Sequence, residues 1–442
     1  MHFDDAISWW YGHVNYEHRA AQADELKLDR MKQLLQRLGS PHERLRIVHV
    51  AGSKGKGSTA AMLACVLAEA GYRTGLFTSP HLVHVRERFL VNQEPIHDGE
   101  LLRLLHDIRK AVDRADPPTF FEIATATAFL HFARRRADAV VLEVGLGGRL
   151  DSTNVCQPVL SILTSISFDH TQQLGNTLDR IAFEKAGIIK PGVPVISGVL
   201  ADAARRVIIE TCMQRHASLW QLDRDFCFHA EPGRVDARLT TPPRLCVQTP
   251  TRRWPPLALA LLGRHQAANA SLVVAAVERL RNLGWHVSDD ALARGLAQVV
   301  WPARLDVLCR QPLVVLDCAH NVASAEALTQ ALTDCFPDTT RRLVFAASKD
   351  KDLQGMLNVL VPRFTQVFLT RYAAGQRAAQ PDDLARLLPK SVSSSTHDRA
   401  GDALNAAIGA SRPTDLVCIA GSVFLAGEIL ALHRRAVERR RE

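Results

Sequence analysis

Short apolar runs recur along the chain, with helical patterns filling the intervals between them. Arg46–Val50 (RIVHV) predicts a strand, and Ser58–Ala70 predicts a helix closed by Gly71. Gly75–Thr78 predicts a second short strand. Ala139–Val144 (AVVLEV), Val159–Ile166 and Val193–Ser197 are β-branched runs of strand length. Runs that are apolar throughout, rather than alternating, suit strands buried on both faces of a parallel sheet. A second series follows Pro302, with strands at Leu313–Asp317, Leu343–Ala347, Gln366–Thr370 and Asp415–Ala420. Helical patterns at Ser324–Thr333, Leu353–Val361 and Ala403–Ala410 lie between them. Alternating strand and helix predicts an α/β protein. Between the two series, residues 222–256 are rich in Pro, Arg and Thr, which predicts an antiparallel β excursion or an irregular segment. Trp301-Pro302-Ala303-Arg304 reads as a hinge, so the expected division is a larger domain over residues 1–300 and a smaller one over 301–442.

Composition narrows the class. The 442 residues are 47% hydrophobic and 23% charged, enough apolar material to exclude disorder as the main state. The nine cysteines (65, 156, 212, 227, 246, 309, 318, 335 and 418) are scattered singly, with no CxxC pair. That excludes a disulfide scaffold and argues against a zinc ribbon, and it suits reduced thiols in the cytoplasm. Met1–Tyr16 lacks the basic and apolar regions of a signal peptide, and no run reaches the roughly 18 apolar residues of a membrane span. The net charge of +8 fits nucleic acid or an anionic substrate. Basic residues are spread out, densest at Arg434-Arg435 and Arg439–Arg441, without interleaved aromatics, so no nucleic-acid partner is expected.

Chemistry concentrates at strand ends. His49–Thr59 (HVAGSKGKGST) lies between a predicted strand and a helix. Gly52, Gly55 and Gly57 permit close backbone approach, so the amides of Gly52-Ser53-Lys54-Gly55-Lys56-Gly57-Ser58 can surround a phosphate at a helix N-terminus. Lys56 would reach the outer phosphates, and Ser58 or Thr59 would support a magnesium shell. The spacing departs from GxxxxGK[ST], because Val50 opens the window and Gly57 separates Lys56 from Ser58, which counts against the common GTPases and kinases.

Ligands of open α/β sheets bind beyond the carboxyl ends of strands. Ser79, Glu143 and His170 each follow a predicted strand, and their oxygen and imidazole groups suit magnesium beside phosphate. Lys185 reads, from the residues alone, as the end of a helix capped by Gly187. Asp317 would accept from an amine or order a basic group, and His320 would bind an anion. Asn321 alternatively serves as the cap of the next helix. Arg304 stands where it would cross the cleft to a nucleotide phosphate.

Taken in order, GSKGKGST (52–59), TSPHL (78–82), RERF (86–89), FFEIATATAF (120–129), LEVGLGGRLDSTN (142–154), FDHTQQLG (168–175), EKAGIIKPG (184–192), GRHQAANA (263–270), WPARL (301–305), DCAHN (317–321) and SKDKD (348–352) run almost end to end. The chain resembles the folylpolyglutamate synthases and bifunctional dihydrofolate synthases of the Mur ligase superfamily. The resemblance implies a P-loop ATPase-like central domain, a Rossmann-like C-terminal domain and ATP in the cleft between them. It implies that Gly52–Ser58, Asn269, Arg304 and Asp317 bind ATP, and that Ser79, Glu143 and His170 ligate Mg2+. Lys185 matches a lysine carbamylated in the family, and a monovalent cation is a further expectation. His320, beside Asp317, would position L-glutamate. Pro80, His81 and Arg86, in the loop Ser79–Arg88, and Phe121-Glu122 would hold a pterin. The catalytic set expected is therefore Lys56, Lys185, His320 and Asp317, in a monomeric enzyme. Two positions depart from the family pattern: Ser53-Lys54 replaces Thr-Asn, and Cys318 replaces Gly.

The chemistry implied is amide formation driven by ATP. A carboxylate has no good leaving group, so it first takes the γ-phosphoryl group; the glutamate amine then displaces phosphate. Dihydropteroate and reduced folates are both possible acceptors. A P-loop kinase would need the phosphate loop but not DCAHN, and a cell-wall ligase would not need TSPHL and RERF.

Overall fold

A computed structural model describes residues 2–16, 27–337, 339–373 and 377–439; Arg440 and Arg441 of the basic tail lie outside the described residues. The first part of the chain builds an eight-stranded sheet from β1 (Ile47–Ala51), β2 (Thr74–Phe77), β3 (Phe89–Val91), β4 (Glu94–Pro95), β5 (Ala139–Glu143), β6 (Leu160–Leu163), β7 (Val195–Ser197) and β8 (Leu219–Gln221). Their order is β4-β3-β2-β5-β1-β6-β7-β8, with β3 antiparallel to both its neighbours, β2 and β4, and every other pairing parallel. β1 lies between β5 and β6, where the winding reverses, so the crevice beyond its carboxyl end is the expected ligand position. Every residue of β1 is buried, because alternate side chains enter opposite layers. Val48 and Val50 pack with the helices Lys56–Glu69 and Arg264–Asn282, while Ile47 packs with Asp98–Ala111 and Phe120–Arg134.

Residues 222–256 resolve into the antiparallel alternative. β9 (Cys227–Glu231), β12 (Arg244–Gln248) and β13 (Leu257–Ala258) form a three-stranded sheet, and β10 (Arg234–Val235) pairs with β11 (Thr240–Thr241). The larger sheet covers the first core through Leu245, Val247 and Leu257. The second series builds a six-stranded sheet from β14 (Asp306–Arg310), β15 (Leu313–Leu316), β16 (Arg341–Phe345), β17 (Gln366–Leu369), β18 (Ser394–Thr396) and β19 (Leu416–Ala420), in the order β14-β15-β19-β16-β17-β18. Only β14 is antiparallel in it. Helices cover both faces.

The predicted strands all form, several of them shorter. Val159–Ile166 contracts to β6 because its last residues turn to the phosphate loop: Thr164 Oγ1 donates to the Lys54 carbonyl (2.6 Å), and Ser53 N donates to the Ser165 carbonyl (2.7 Å). Among the described residues no helix is long and apolar enough to cross a membrane.

Candidate active site

The loop between β1 and the helix Lys56–Glu69 requires its glycines. Gly52 (φ 151°) and Gly55 (φ 83°) lie in the left-handed half of backbone space. A Cβ on Gly52 would collide with Thr164 Oγ1, and one on Gly55 with Asn269 Oδ1. Asn269 comes from the helix Arg264–Asn282 and is oriented by Gln266, whose Oε1 accepts from its Nδ2 (3.0 Å). Ser53 Oγ donates to the Ser167 carbonyl (2.9 Å), tying the loop to the segment after β6.

Lys56 Nζ and Lys185 Nζ both donate to the Gly52 carbonyl, at 3.1 and 3.0 Å. Lys185 is buried, and its amine is lowered to about 7, first by burial and then by the charge of Lys56. It does end the helix Leu178–Ala186, as the sequence suggests, but its ammonium points into the phosphate loop. Gly187 follows in a right-handed conformation (φ −59°), so it is no left-handed cap; a Cβ there would collide with Arg149. Lys54 Nζ pairs with Asp169 Oδ2 at 2.7 Å.

A cleft of about 370 Å³ opens beyond these groups. It is lined by the loop from Ser53 to Ser58, by Ser79, Pro80, Phe121, Glu122, Glu143 and His170, and by Arg304 and His320 from the second part of the chain. Ser58 lines it, whereas Thr59 is fully buried behind. A neighbouring cavity of about 360 Å³ shares Gly57, Ser79, Pro80, Glu143 and Arg304 with the first. His81 and Arg86 line this second space, so the pterin set from the sequence divides between two cavities. Arg88 Nε donates to His81 Nδ1 (2.9 Å), and Arg86 pairs with Asp98 (3.1 Å).

Glu143 ends β5 and is 5% exposed. Among the described residues its one hydrogen bond is from Ser79 N to Oε2 (3.1 Å). Burial raises its pKa, and Lys56 opposes that. A buried carboxylate with spare acceptor capacity is a hard donor suited to Mg2+. His170 is exposed at the mouth of the cleft, with a pKa lowered to about 4, foremost by loss of water, so its ring is neutral and keeps a free lone pair. Among the described residues there is no cluster of three or more His, Cys, Asp or Glu fit for a metal, and one carboxylate, one imidazole and one hydroxyl form only a partial shell. Such a set fits Mg2+ that takes its remaining oxygens from phosphates.

Asp317 does not line either cavity. Its Oδ2 accepts from Leu305 N (3.0 Å) and its Oδ1 from Ala319 N (2.8 Å), so it is committed to the linker backbone. His320 Nδ1 sits 2.9 Å from the Cys318 carbonyl, which only accepts, so Nδ1 carries the proton. Burial, then Lys54 and Lys351, lower its pKa to about 3. A neutral ring whose Nε2 is a lone pair suits an amine N–H, not the anion that the sequence suggests. Asn321 caps the helix Val322–Cys335, accepting from Ser324 N (3.0 Å). Glu122 lines the cleft, but its carboxylate accepts from Arg30 Nε (2.8 Å) and Thr119 N (2.7 Å).

Several lining residues escaped sequence reasoning. Lys351 and Ser348 lie in SKDKD, which carried resemblance but no role, and Asp151 and Ser152 lie in GGRLDSTN. Lys27 and Arg30 have no motif around them.

Models of known families match two stretches: the Mur ligase middle domain over residues 50–277, and the Mur ligase glutamate ligase domain over 303–423. The chain is 40% identical to the dihydrofolate synthase/folylpolyglutamate synthase of Bacillus subtilis, over 81% of this chain and 82% of that one. It is 33% identical to the folylpolyglutamate synthase of Lacticaseibacillus casei, over 90% and 92%. Among solved structures, Escherichia coli FolC in complex with DHPP and ADP superposes with a TM-score of 0.85 at 28% identity, covering 99% of this chain and 98% of that one. Mycobacterium tuberculosis folylpolyglutamate synthase complexed with ADP gives 0.87 at 29%, covering 98% of each.

Proposed function

The chain belongs to the Mur ligase family and is an ATP-dependent ligase of its folylpolyglutamate synthase and dihydrofolate synthase branch; from that premise we propose that it joins L-glutamate both to dihydropteroate and to reduced folates. The observation that carries the reading is one cleft in which a lysine-lined phosphate loop faces a neutral histidine from the second sheet.

In this reading the amides of Gly52–Ser58 and Lys56 hold the ATP phosphates. Arg304 and Asn269 fix the rest of the nucleotide, and Asp317 acts through the linker that carries Arg304. An acceptor carboxylate oxygen attacks the γ-phosphorus, the β–γ bridging bond breaks, and ADP leaves. Positioning and charge neutralisation do most of the work in such a transfer. Ser79, Glu143 and His170 would hold Mg2+, which supplies further neutralisation of phosphate charge. Lys185, as its carbamate, would add an anionic group beside the loop, and a monovalent cation would balance it. The glutamate amine, oriented by His320 Nε2, attacks the acyl carbon, and phosphate departs. Phe121 and Glu122 border the acceptor in the main cleft; Pro80, His81 and Arg86 border it from the adjoining cavity. Residues 1–300 form the ATP- and folate-binding domain, and 301–442 the glutamate-binding domain. The enzyme works as a cytoplasmic monomer, without nucleic acid or membrane.

The test is incubation with MgATP and glutamate, separately with dihydropteroate and tetrahydrofolate, followed by mass spectrometry. Glutamyl addition to both acceptors is expected. Addition to tetrahydrofolate alone would reduce the activity to polyglutamylation, and addition to neither would overturn the reading.

A further inference from the structure

β1 carries one polar residue, His49, within an otherwise apolar strand (IVHVA). The ring is fully buried, and a Val or Leu would occupy the place with no polar group to satisfy. Its Nε2 lies 2.8 Å from Thr153 Oγ1, and its Nδ1 lies 3.8 Å from Cys156 Sγ. Thr153 Oγ1 in turn bonds Asp151 Oδ1, which also accepts from Thr153 N (3.0 Å), while Asp151 Oδ2 accepts from Leu146 N (2.8 Å).

The direction of this chain follows from counting protons. A carboxylate only accepts, so the single hydroxyl hydrogen of Thr153 goes to Asp151. Thr153 Oγ1 must then accept from His49, which places the ring proton on Nε2. That leaves Nδ1 as a lone pair for the Cys156 thiol. Burial pushes that thiol up to about 12 and the imidazole down to about 3, so both keep the required forms. Asp151 and Ser152 line the main cleft, and β1 runs directly into the phosphate loop.

We infer that His49 is a positioning residue for the acceptor: by donating to Thr153 it fixes the loop 145–154 that walls the acceptor side of the cleft. The inference rests on the proposed function for the identity of the acceptor.

Steady-state kinetics with dihydropteroate test it in two matched pairs. Gln reproduces the Nε2 donor, so His49→Gln and Thr153→Ser should stay within about threefold of the wild type, whereas His49→Leu and Thr153→Val should raise KM for dihydropteroate by roughly tenfold or more, the scale of one buried hydrogen bond. KM for ATP should stay within about twofold in all four. Equal damage in His49→Gln and His49→Leu would overturn the inference, as would parallel rises in both KM values or no rise at all. Should His49→Leu fail to fold, His49→Met, which also lacks the donor, takes its place against His49→Gln. Nitrogen NMR of labelled histidine reads the network without substrate: a protonated Nδ1 on His49 would overturn it. Failure of the wild type to use dihydropteroate would instead refute the acceptor assignment, leaving the NMR result to judge the network.

Discussion

Replacing Asp317 by Asn should loosen the linker between the sheets and weaken ATP use, without touching the nucleotide directly. Ala303 (φ 56°) and Leu305 (φ 50°) both lie in the left-handed region, on either side of Arg304. Such a conformation costs a non-glycine residue roughly 1–2 kcal/mol, or about 2–4 kcal/mol for the two. What holds them is a short set of bonds: Leu305 N to Asp317 Oδ2 (3.0 Å), Ala303 N to Asp306 Oδ2 (3.2 Å) and Cys318 N to the Ala303 carbonyl (3.2 Å). Asparagine keeps the shape but can accept through only one atom, so either Leu305 N or Ala319 N then faces an NH2 group. Losing a hydrogen bond to a buried charge removes about 1.5–3 kcal/mol, comparable with the strain it opposes. The linker should relax and Arg304 should leave the cleft. At 1.4 kcal/mol per decade, kcat/KM for ATP should fall by roughly 10- to 100-fold. Hydrogen exchange over residues 301–306 should accelerate in the same variant. Asp317→Asn with kcat/KM within about twofold of the wild type and unchanged exchange would refute the reasoning.

Gly55→Ala should lower kcat/KM for ATP by about 100-fold or more, because strain at φ 83° adds to the collision with Asn269, and near-normal kinetics would reject that account. Lys185, with its amine lowered to about 7, is mostly neutral at pH 8, the form that takes up CO2. Bicarbonate should therefore restore activity to depleted wild-type enzyme but not to Lys185→Arg, and native mass spectrometry should show one added CO2 in the wild type alone. His49 is held near 3, against about 6.5 in the unfolded chain. Below pH 6.5 the unfolded chain binds a proton that the folded chain refuses, so this contribution is complete above pH 6.5 and is lost on acidification, by up to about 1.4 kcal/mol per pH unit. Urea titrations should show a shallower loss between pH 6.5 and 5 in His49→Gln; identical slopes would remove His49 from the account.

The central strands and the phosphate loop were legible because each is a local signal. A strand buried on both faces is an unbroken apolar run, and a left-handed turn before a helix calls for glycine. β3 and β4 were missed because they are only three and two residues long, and β14 because that edge strand, Asp306–Arg310, begins and ends on charged residues and carries no such run. Asp317 was misplaced for a different reason. The pattern LVVLD puts it rightly at a strand end, but its partners, Leu305 N and Ala319 N, divert both oxygens from the cleft. Glu122 is similar: one segment supplies both its helix cap at Thr119 and its cavity position, while Arg30 comes from 92 residues away. The sequence likewise offers no sign that Phe121 and His81 face different cavities, since that division depends on where Glu143 and Ser79 stand between them.

The same limit applies to charge, and there it bears on mechanism. Counting lysines along the chain suggests a cationic loop; only the fold brings Lys185 onto the carbonyl already used by Lys56. Two ammonium groups on one carbonyl repel, and the low dielectric of a buried site strengthens that repulsion. The arrangement is relieved if one of the pair gives up its proton. Burial lowers the Lys185 amine first, and the charges of Lys56 and Lys54 add to the effect. Crowding the loop with cations thus does two things at once. It readies the site for a polyphosphate, whose charge would offset the repulsion, and it lowers the amine of one lysine. Replacing Lys56 by Met should therefore raise the Lys185 amine toward its ordinary value, uncoupling the two roles that a phosphate loop with a single lysine never has to reconcile.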